Sequence, residues 1–185
     1  MNRKKEENLS KFMTKILRHT PYDFGILPDE KGFVETNDLL IAITGQSFWE
    51  GTTVEDFKTV AKNCQKGRFE LEGTKIRARY GHSYKRIPYE KGTPPDVLLH
   101  GTAKQKLGKI FADGLKKMDR EYVHLSEGES FASLAGSRHG ELVLLEIDTK
   151  KAREKKVKFY YAGNEVWLAD YIAPEFLSIK QKTAN

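Results

Sequence analysis

Apolar residues recur at helical spacing near the start of the chain. They occupy positions i, i+3, i+4, i+7 and i+8 of the segment 9–17, which predicts one face of an amphipathic helix: Leu9, Phe12, Met13, Ile16 and Leu17. Pro21 disfavours a helical conformation for Thr20, so the helix is expected to end near His19. Arg18 and His19 then stand together at a helix end, either because such ends favour cations or because the pair begins an anion site.

Two further helices and a hairpin are predicted before residue 80. In "GFVETNDLLIAITG" a short strand precedes a helix that Thr36 or Asn37 is expected to cap. A third helix is expected to begin at Thr53, with Asp56 as its capping-box partner. In "RFELEGTKIRARYG" apolar residues alternate on both sides of Gly73, which predicts a β-hairpin.

Three helices followed by a hairpin favour a winged-helix arrangement. In that arrangement Lys75, Arg77 and Arg79 share the face of the second hairpin strand that points away from the core. A basic strip of this kind is typical of a nucleic-acid surface, and it is equally typical of a solvated strand face. The pattern alone leaves both interpretations open.

The second half of the chain differs from the first in its pattern of apolar residues. Prolines and a glycine interrupt the periodicity in "HSYKRIPYEKGTPPD", so we expect residues 87–95 to link a lobe of residues 1–86 to a lobe of residues 96–185. Apolar runs predict strands in "VLLHGT", "YVHLS", "ELVLLEID", "KFYYAG" and "EVWLADYI", with helices at 103–112 and 127–136. The whole is an α+β fold with a strand-rich second lobe.

Charge and composition narrow the class of protein. The net charge of +6 over 185 residues favours a polyanionic partner, but each half carries +3, so local clusters matter more than the total. The single cysteine, Cys64, excludes an internal disulfide and a thiolate zinc site. No run approaches the roughly 20 apolar residues of a membrane span, and "MNRKKEENLS" lacks the apolar stretch of a signal peptide. We expect a cytoplasmic protein, monomeric by default.

Phosphate-binding loops of the P-loop and dinucleotide types are absent from the sequence. What remains is first "LLHGT", where His100, Gly101 and Thr102 close a buried strand. Glycine there would let a ligand approach the backbone closely, although a simple strand-terminal turn explains the same letters.

The other remaining feature is "MDREYVHLS". It places Arg120 in a loop, His124 in a short strand and Ser126 two residues further on. Taken alone, a histidine in an apolar strand is more often a satisfied core residue than a ligand contact.

In order, the blocks "LSKFMTKILRHTP", "RFEL", "IRARYGHS", "VLLHGT", "MDREYVHLS", "SRHG", "VLLEID" and "FYYAGNEVWLAD" resemble the KptA-type RNA 2′-phosphotransferase family. The resemblance runs from about Leu9 to Leu177. It implies an N-terminal winged-helix lobe that takes RNA and a C-terminal lobe of the ADP-ribosyltransferase fold that binds NAD+. No metal is implied.

The family removes an internal RNA 2′-phosphate of the kind left at tRNA splice junctions. The resemblance implies that the 2′-phosphate attacks NAD+ and expels nicotinamide, which gives ADP-ribosylated RNA. A second step then releases RNA 2′-OH and ADP-ribose 1″,2″-cyclic phosphate. NAD+ is therefore consumed as a co-substrate.

Site residues follow from the same resemblance, position by position. The implied catalytic set is an Arg-His pair with two further arginines: Arg18, His19, Arg68 and Arg120. The implied NAD+ contacts lie in the second lobe: His100, Gly101, Thr102, His124, Ser126 and Arg138. An imidazole titrates near neutral pH, so His19 either donates a proton to the leaving RNA oxygen or only hydrogen-bonds the phosphate.

The chain departs from the family pattern in three places. Glu165 of "GNEVWL" stands where the family more often has glycine, and it resembles the catalytic glutamate of many ADP-ribosyltransferases, although a solvent-facing turn residue is the simpler interpretation. "YGHS" replaces the usual "QGHS", and "REYVHLS" lacks a common histidine. Two alternatives stay open: an ADP-ribosyltransferase that modifies a nucleic-acid phosphate and stops, and a non-catalytic winged-helix binding module.

Overall fold

The computed structural model describes residues 1–136 and 140–181. The chain divides into two compact units, Met1–Pro88 and Tyr89–Asn185. Each unit combines helices with antiparallel sheet, which confirms the α+β class. The described residues contain no helix that is long and apolar enough to cross a membrane.

The first unit contains three α-helices and a three-stranded sheet within its described residues. In chain order its elements are α1 (Arg3–Arg18), β1 (Val34–Glu35), α2 (Thr36–Thr44), α3 (Val54–Asn63), β2 (Phe69–Glu72) and β3 (Lys75–Ala78). The sheet order is β1-β3-β2, and β2 and β3 form the predicted hairpin. The apolar stripe of α1 lies in the core against α2, α3 and the sheet, where these side chains are fully buried: Leu9, Met13, Ile16, Leu39, Ile43, Phe57 and Ile76.

The sequence predicted the C-terminal end of α1 and the N-terminal caps of α2 and α3, and two of these three predictions are confirmed. Helix α1 ends at Arg18 as predicted, and Thr53 with Asp56 forms the predicted capping box of α3. The predicted cap of α2 is wrong, because its N-cap is Glu35, whose side chain makes no capping bond. Glu35 is also the last residue of β1, so the strand runs directly into the helix, and the Thr36 amide donates to the Thr74 carbonyl at 2.8 Å.

The basic strip of β3 is engaged in ion pairs. Glu70 on β2 accepts from Arg77 Nη2 at 2.7 Å and from Arg79 Nη1 at 3.3 Å. The Arg77 guanidinium also lies 4.4 Å from the centroid of the Phe33 ring. Lys75 lies within 4.0 Å of Glu35. These charges are therefore committed to carboxylates of the same unit and do not form an open basic surface.

The second unit is built on one antiparallel sheet of seven described strands. Its elements are β4 (Lys91–Gly92), β5 (Val97–Ala103), α4 (Leu107–Asp113), β6 (Leu115–Lys116), β7 (Val123–Ser126), α5 (Glu129–Gly136), β8 (Leu142–Asp148), α6 (Thr149–Glu154), β9 (Phe159–Gly163), β10 (Val166–Ala169), β11 (Tyr171–Ile172) and β12 (Leu177–Ile179). The strand order in the sheet is β12-β8-β5-β7-β10-β9-β4. Strands β6 and β11 pair separately.

Four of the five strand segments predicted in this half are confirmed, and so is the helix within 127–136. The fifth, "EVWLADYI", is divided into β10 and β11, which pair in different sheets. The helix expected at 103–112 is a short 3₁₀ turn, Lys104–Lys106, followed by α4. Strand β4 lies inside the segment predicted to be a linker and pairs with β9. A Cβ atom on Gly92 would lie 2.9 Å from the Trp167 ring, so glycine is what allows β4 to lie against that ring.

Candidate functional site

The Arg18 side chain is unusual for a helix end, because it is only 8% exposed. Its guanidinium carbon lies 4.8 Å from the centroid of the Tyr80 ring, a cation–π contact. The same guanidinium occupies the space beside Gly81, where an added Cβ would lie 3.2 Å from Nη1. A cation that only interacts with a helix C-terminus normally stays in water, so that interaction alone does not explain why Arg18 is buried.

His19 lies beside it, with an exposed side chain. Its Nδ1 is 2.8 Å from the Ser83 hydroxyl oxygen, and the Ser83 amide donates to the Arg18 carbonyl at 2.9 Å. Ser83 thus contacts both members of the Arg-His pair and fixes the orientation of the imidazole.

Arg68 approaches the same tyrosine from the start of β2. Burial raises the pKa of Tyr80, and the positive charges of Arg18 and then Arg68 oppose that rise. The Tyr80 hydroxyl donates to the Lys66 carbonyl, and Arg68 Nη1 lies 3.6 Å from Cys64 Sγ. The first unit therefore brings three of the four predicted catalytic residues around Tyr80 and Ser83.

His82 lies behind this group and is 3% exposed. Burial lowers the pKa of His82 to about 3, and the positive charge of Arg18 contributes to the shift. The imidazole is therefore neutral at physiological pH and adds no charge to the cluster. Its ring packs edge-on against Tyr84, with the centroids 5.7 Å apart.

Sequence reasoning missed the supporting residues of this cluster, which are the consecutive Tyr80, Gly81, His82 and Ser83. "YGHS" was noted only as a departure from a family pattern. A usable signal was present, because a glycine between an aromatic residue and a histidine directly follows a predicted strand. In this segment the Tyr80 ring contacts Arg18 and the Ser83 hydroxyl contacts His19. Gly81 leaves room for the Arg18 guanidinium.

In the second unit, His100 on β5 is held by the adjacent strand β7. Its Nδ1 lies 2.9 Å from the backbone carbonyl of His124. A carbonyl oxygen only accepts, so Nδ1 carries the proton and the Nε2 of a neutral ring is an acceptor. Burial lowers the pKa of His100, and the positive charges of Arg120 and Lys106 lower it further. His100 is therefore a neutral acceptor with the predicted Arg120 near it.

Gly101 serves the packing of a helix. A Cβ atom on Gly101 would lie 1.9 Å from the Ala132 carbonyl oxygen on α5. In turn, a Cβ on Gly136 would lie 2.6 Å from the Gly101 carbonyl carbon. Close approach of α5 to β5 requires both glycines, so α5 fills the space where a Cβ of Gly101 would lie, and ligand access to the Gly101 backbone stays a prediction. Thr102, the next residue, is buried.

The remaining predicted contacts are distributed over β7 and the loop before it. Ser126 pairs with Leu99 of β5, and its hydroxyl donates to the Gly128 carbonyl at 3.0 Å, which shapes the turn into α5. His124 is half-buried on the same strand. Arg120 is exposed in the loop, where its amide donates to the Lys117 carbonyl. Arg138 lies outside the described residues.

Glu165 occupies the turn between β9 and β10. Asn164 and Glu165 both have positive φ angles, 52° and 60°, in a conformation that favours asparagine or glycine. The Glu165 side chain is exposed, and its carbonyl accepts from the Glu127 amide at 3.0 Å. Within the described residues, no group of three His, Cys, Asp or Glu side chains is placed to hold a metal ion.

Comparison with known proteins gives a consistent result. The model of the family described as "RNA 2′-phosphotransferase, Tpt1 / KptA family" matches residues 4–171. A probable RNA 2′-phosphotransferase from Bacillus thuringiensis subsp. konkukian is 42% identical over 184 residues, covering 98% of this chain and 100% of that protein. One from Pyrococcus furiosus is 44% identical over 172 residues, covering 92% and 93%. One from Streptomyces coelicolor is 36% identical over 180 residues, covering 96% and 97%.

Proposed function

The chain belongs to the RNA 2′-phosphotransferase, Tpt1/KptA family, and from this premise we propose that it removes an internal RNA 2′-phosphate by transferring it to NAD+. The proposed products are RNA 2′-OH, nicotinamide and ADP-ribose 1″,2″-cyclic phosphate. RNA with a tRNA splice-junction type of 2′-phosphate is the proposed substrate. The burial of Arg18 against Tyr80, with Arg68 at the same ring, is the observation that carries the proposal.

The two units take separate parts in this proposal. Residues 1–86 form a winged-helix RNA lobe, residues 87–95 the connection and residues 96–185 an NAD+ lobe of the ADP-ribosyltransferase fold. Three helices with a hairpin support the first assignment. An antiparallel sheet that carries two histidines on adjacent strands supports the second.

The proposed phosphate site needs fixed positive charge more than it needs a base. A phosphate monoester is largely dianionic at neutral pH, so its oxygens are already nucleophilic. Arginine suits such a group because its planar fork donates two hydrogen bonds and keeps its charge. Arg18 and Arg68 supply two forks in one unit, and the contact of Arg18 with the Tyr80 ring holds its fork in place before the substrate arrives.

His19 completes the proposed phosphate site, with its ring oriented by the contact of Nδ1 with the Ser83 hydroxyl. In one role His19 Nε2 donates a proton to the departing RNA 2′-oxygen, and in the other it only hydrogen-bonds the phosphate. Asparagine preserves a hydrogen-bond donor but has no titrating proton. The rates of His19→Asn and His19→Ala therefore separate the roles: recovery of most of the rate by asparagine excludes proton donation.

The donor set of the second unit fits NAD+. NAD+ supplies an electrophilic ribose carbon with nicotinamide as a neutral leaving group. His100 presents an acceptor nitrogen, which suits a ribose hydroxyl or a carboxamide N–H and does not suit a phosphate. Arg120 brings a permanent positive charge near His100, and we assign it to the transferred phosphate. Thr102, His124, Ser126 and the backbone of Gly101 complete the proposed NAD+ contacts, together with Arg138.

Product analysis tests this function. The protein is incubated with NAD+ and an RNA that carries a labelled internal 2′-phosphate. The proposal predicts that the label leaves the RNA as ADP-ribose 1″,2″-cyclic phosphate. Persistent ADP-ribosylated RNA would instead support a transferase that stops after one step, since the first step of the proposed pathway is that reaction. RNA binding with no NAD+-dependent change would support a non-catalytic module.

A further inference from the structure

One short segment that the proposed site does not use carries a high net positive charge. Residues 149–158, "TKKAREKKVK", contain six basic residues and one acidic residue, a net charge of +5 where the whole chain carries +6. The segment comprises helix α6 and the turn after it. Its five lysines are called the α6 lysines here: Lys150, Lys151, Lys155, Lys156 and Lys158.

Helix α6 exposes these lysines by its own packing. Thr149 and Ala152, three residues apart, are completely buried and anchor the helix on the sheet. The Thr149 hydroxyl donates to the Pro95 carbonyl, and Asp148 caps the helix by accepting from the Lys151 amide at 2.8 Å. All five α6 lysines are exposed as a result.

The α6 lysines also lack carboxylate partners among the described residues. Arg153 takes the nearby carboxylate of Asp96 at 3.0 Å, and none of the five lysines forms an ion pair within 4.0 Å in the described part of the chain. Exposed lysines elsewhere do form such pairs, for example Lys58 with Glu55 and Lys116 with Asp113. The positive potential of this segment is therefore not neutralised locally.

Lys156 shows that this charge is retained at a conformational cost. Helix α6 ends in a Schellman motif, because the Val157 amide donates to the Ala152 carbonyl at 3.0 Å and the Lys156 amide to the Arg153 carbonyl at 2.8 Å. Lys156 occupies the left-handed position of that motif with φ 66°, where glycine is the favoured residue. A lysine at this position adds positive charge to the segment although glycine would suit the backbone conformation better.

We propose that the α6 lysines bind the phosphodiester backbone of the RNA substrate, and that they do so in addition to the residues assigned to the 2′-phosphate. The inference rests on the proposed function in so far as RNA is the substrate. Flexible ammonium groups suit a repeating anionic backbone, which needs charge and no sequence readout. A lipid surface is disfavoured because no exposed apolar residue lies among the lysines: Ala152 is buried and Val157 packs on the core.

The test compares an RNA of 20 nucleotides with a dinucleotide, each carrying one 2′-phosphate. The triple variant Lys150→Gln, Lys155→Gln, Lys156→Gln is matched by Arg3→Gln, Lys58→Gln, Lys116→Gln, which removes three charges that are already paired. Single-strand binding scales with salt by about 0.7 per phosphate contact, so the α6 triple should reduce the slope of log Ka against log[KCl] by about 2 for the long RNA.

We expect kcat/KM for the long RNA to fall about tenfold in the α6 triple and to stay within about twofold for the dinucleotide, which offers too few backbone phosphates to engage the α6 lysines. Equal losses in the control triple would overturn the proposal, and so would equal losses on the dinucleotide. Because RNA binding is measured without turnover, a protein that binds the long RNA through these lysines but transfers no phosphate would count against the proposed function alone.

Lys156→Gly gives an independent readout. The substitution should raise the melting temperature by about 2 °C, because glycine relieves the left-handed conformation, and it should weaken binding of the long RNA about threefold. Opposite changes in stability and binding cannot come from damage to the fold. Unchanged binding in this variant would contradict the assignment of Lys156.

Discussion

Replacing Gly81 by alanine perturbs the proposed phosphate site through Arg18. Gly81 has φ 86°, and an added Cβ would lie 3.2 Å from Arg18 Nη1 and 3.3 Å from Cζ. These separations are shorter than an ordinary van der Waals contact, so the guanidinium must move by a few tenths of an ångström. The substitution therefore displaces the guanidinium of Arg18, the residue proposed to hold the phosphate.

The size of the effect follows from two separate costs. A side chain in the left-handed region destabilises the folded state by about 1–2 kcal/mol. Misplacing a positioned group by about 1 Å reduces the rate by about 100-fold, so a shift of a few tenths should reduce kcat/KM by about tenfold, or about 1.4 kcal/mol. The first cost lowers the melting temperature, and the second appears only in turnover.

Gly51→Ala is the matched control. Gly51 has φ 76°, and no atom lies within 4 Å of an added Cβ, so this variant carries the conformational cost without the contact. NAD+-dependent loss of 2′-phosphate is measured for both variants, well below their melting temperatures. Equal activity in the two variants would refute the claim that the position of Arg18 limits the reaction.

Three further predictions concern two residues of the first unit, Ser83 and His82, and one of the second, Glu165. Ser83→Ala should lower kcat several-fold and shift the pH–rate profile, because His19 Nδ1 loses its 2.8 Å partner, whereas Ser83→Thr should retain most of the rate. Burial lowers the pKa of His82 from 6.5 to about 3, so the free energy of unfolding in urea should decrease below about pH 6.5, by up to about 1.4 kcal/mol per pH unit. His82→Gln should flatten this decrease, and a wild type with constant stability between pH 7 and 5 would contradict the prediction. Glu165→Gly should stabilise the chain by about 1 kcal/mol with kcat/KM unchanged, because it relieves a φ of 60°; a loss of turnover would assign Glu165 a catalytic role.

Helix boundaries that are set by residues close together along the chain could be predicted from the sequence. The end of α1 and the capping box at Thr53 are consequences of chemistry within one turn. Strand β4 was missed because its stability comes from distant partners: it pairs with β9, and Gly92 lies on the Trp167 ring. Two residues bounded by prolines contain no periodicity, so no local pattern indicated them.

The candidate site shows the same division. The resemblance identified Arg18, His19 and Arg68 by position, but it did not predict the burial of Arg18 against Tyr80, which depends on how the chain folds between residues 18 and 80. Gly101 was interpreted through ligand access, whereas its neighbour is the α5 carbonyl of Ala132. A glycine requirement is visible in sequence, but the atom that imposes it is visible only in the structure.

The most direct test of the central claim is NAD+-dependent transfer of an RNA 2′-phosphate by the wild type, Arg18→Lys and Arg18→Ala, with Arg77→Ala as a control arginine that is paired with Glu70. The account predicts cyclic-phosphate product from the wild type and the control, a loss of at least about 100-fold in Arg18→Ala, and little rescue by lysine, whose point charge cannot replace the fork. Transfer by Arg18→Ala at the wild-type rate would contradict it.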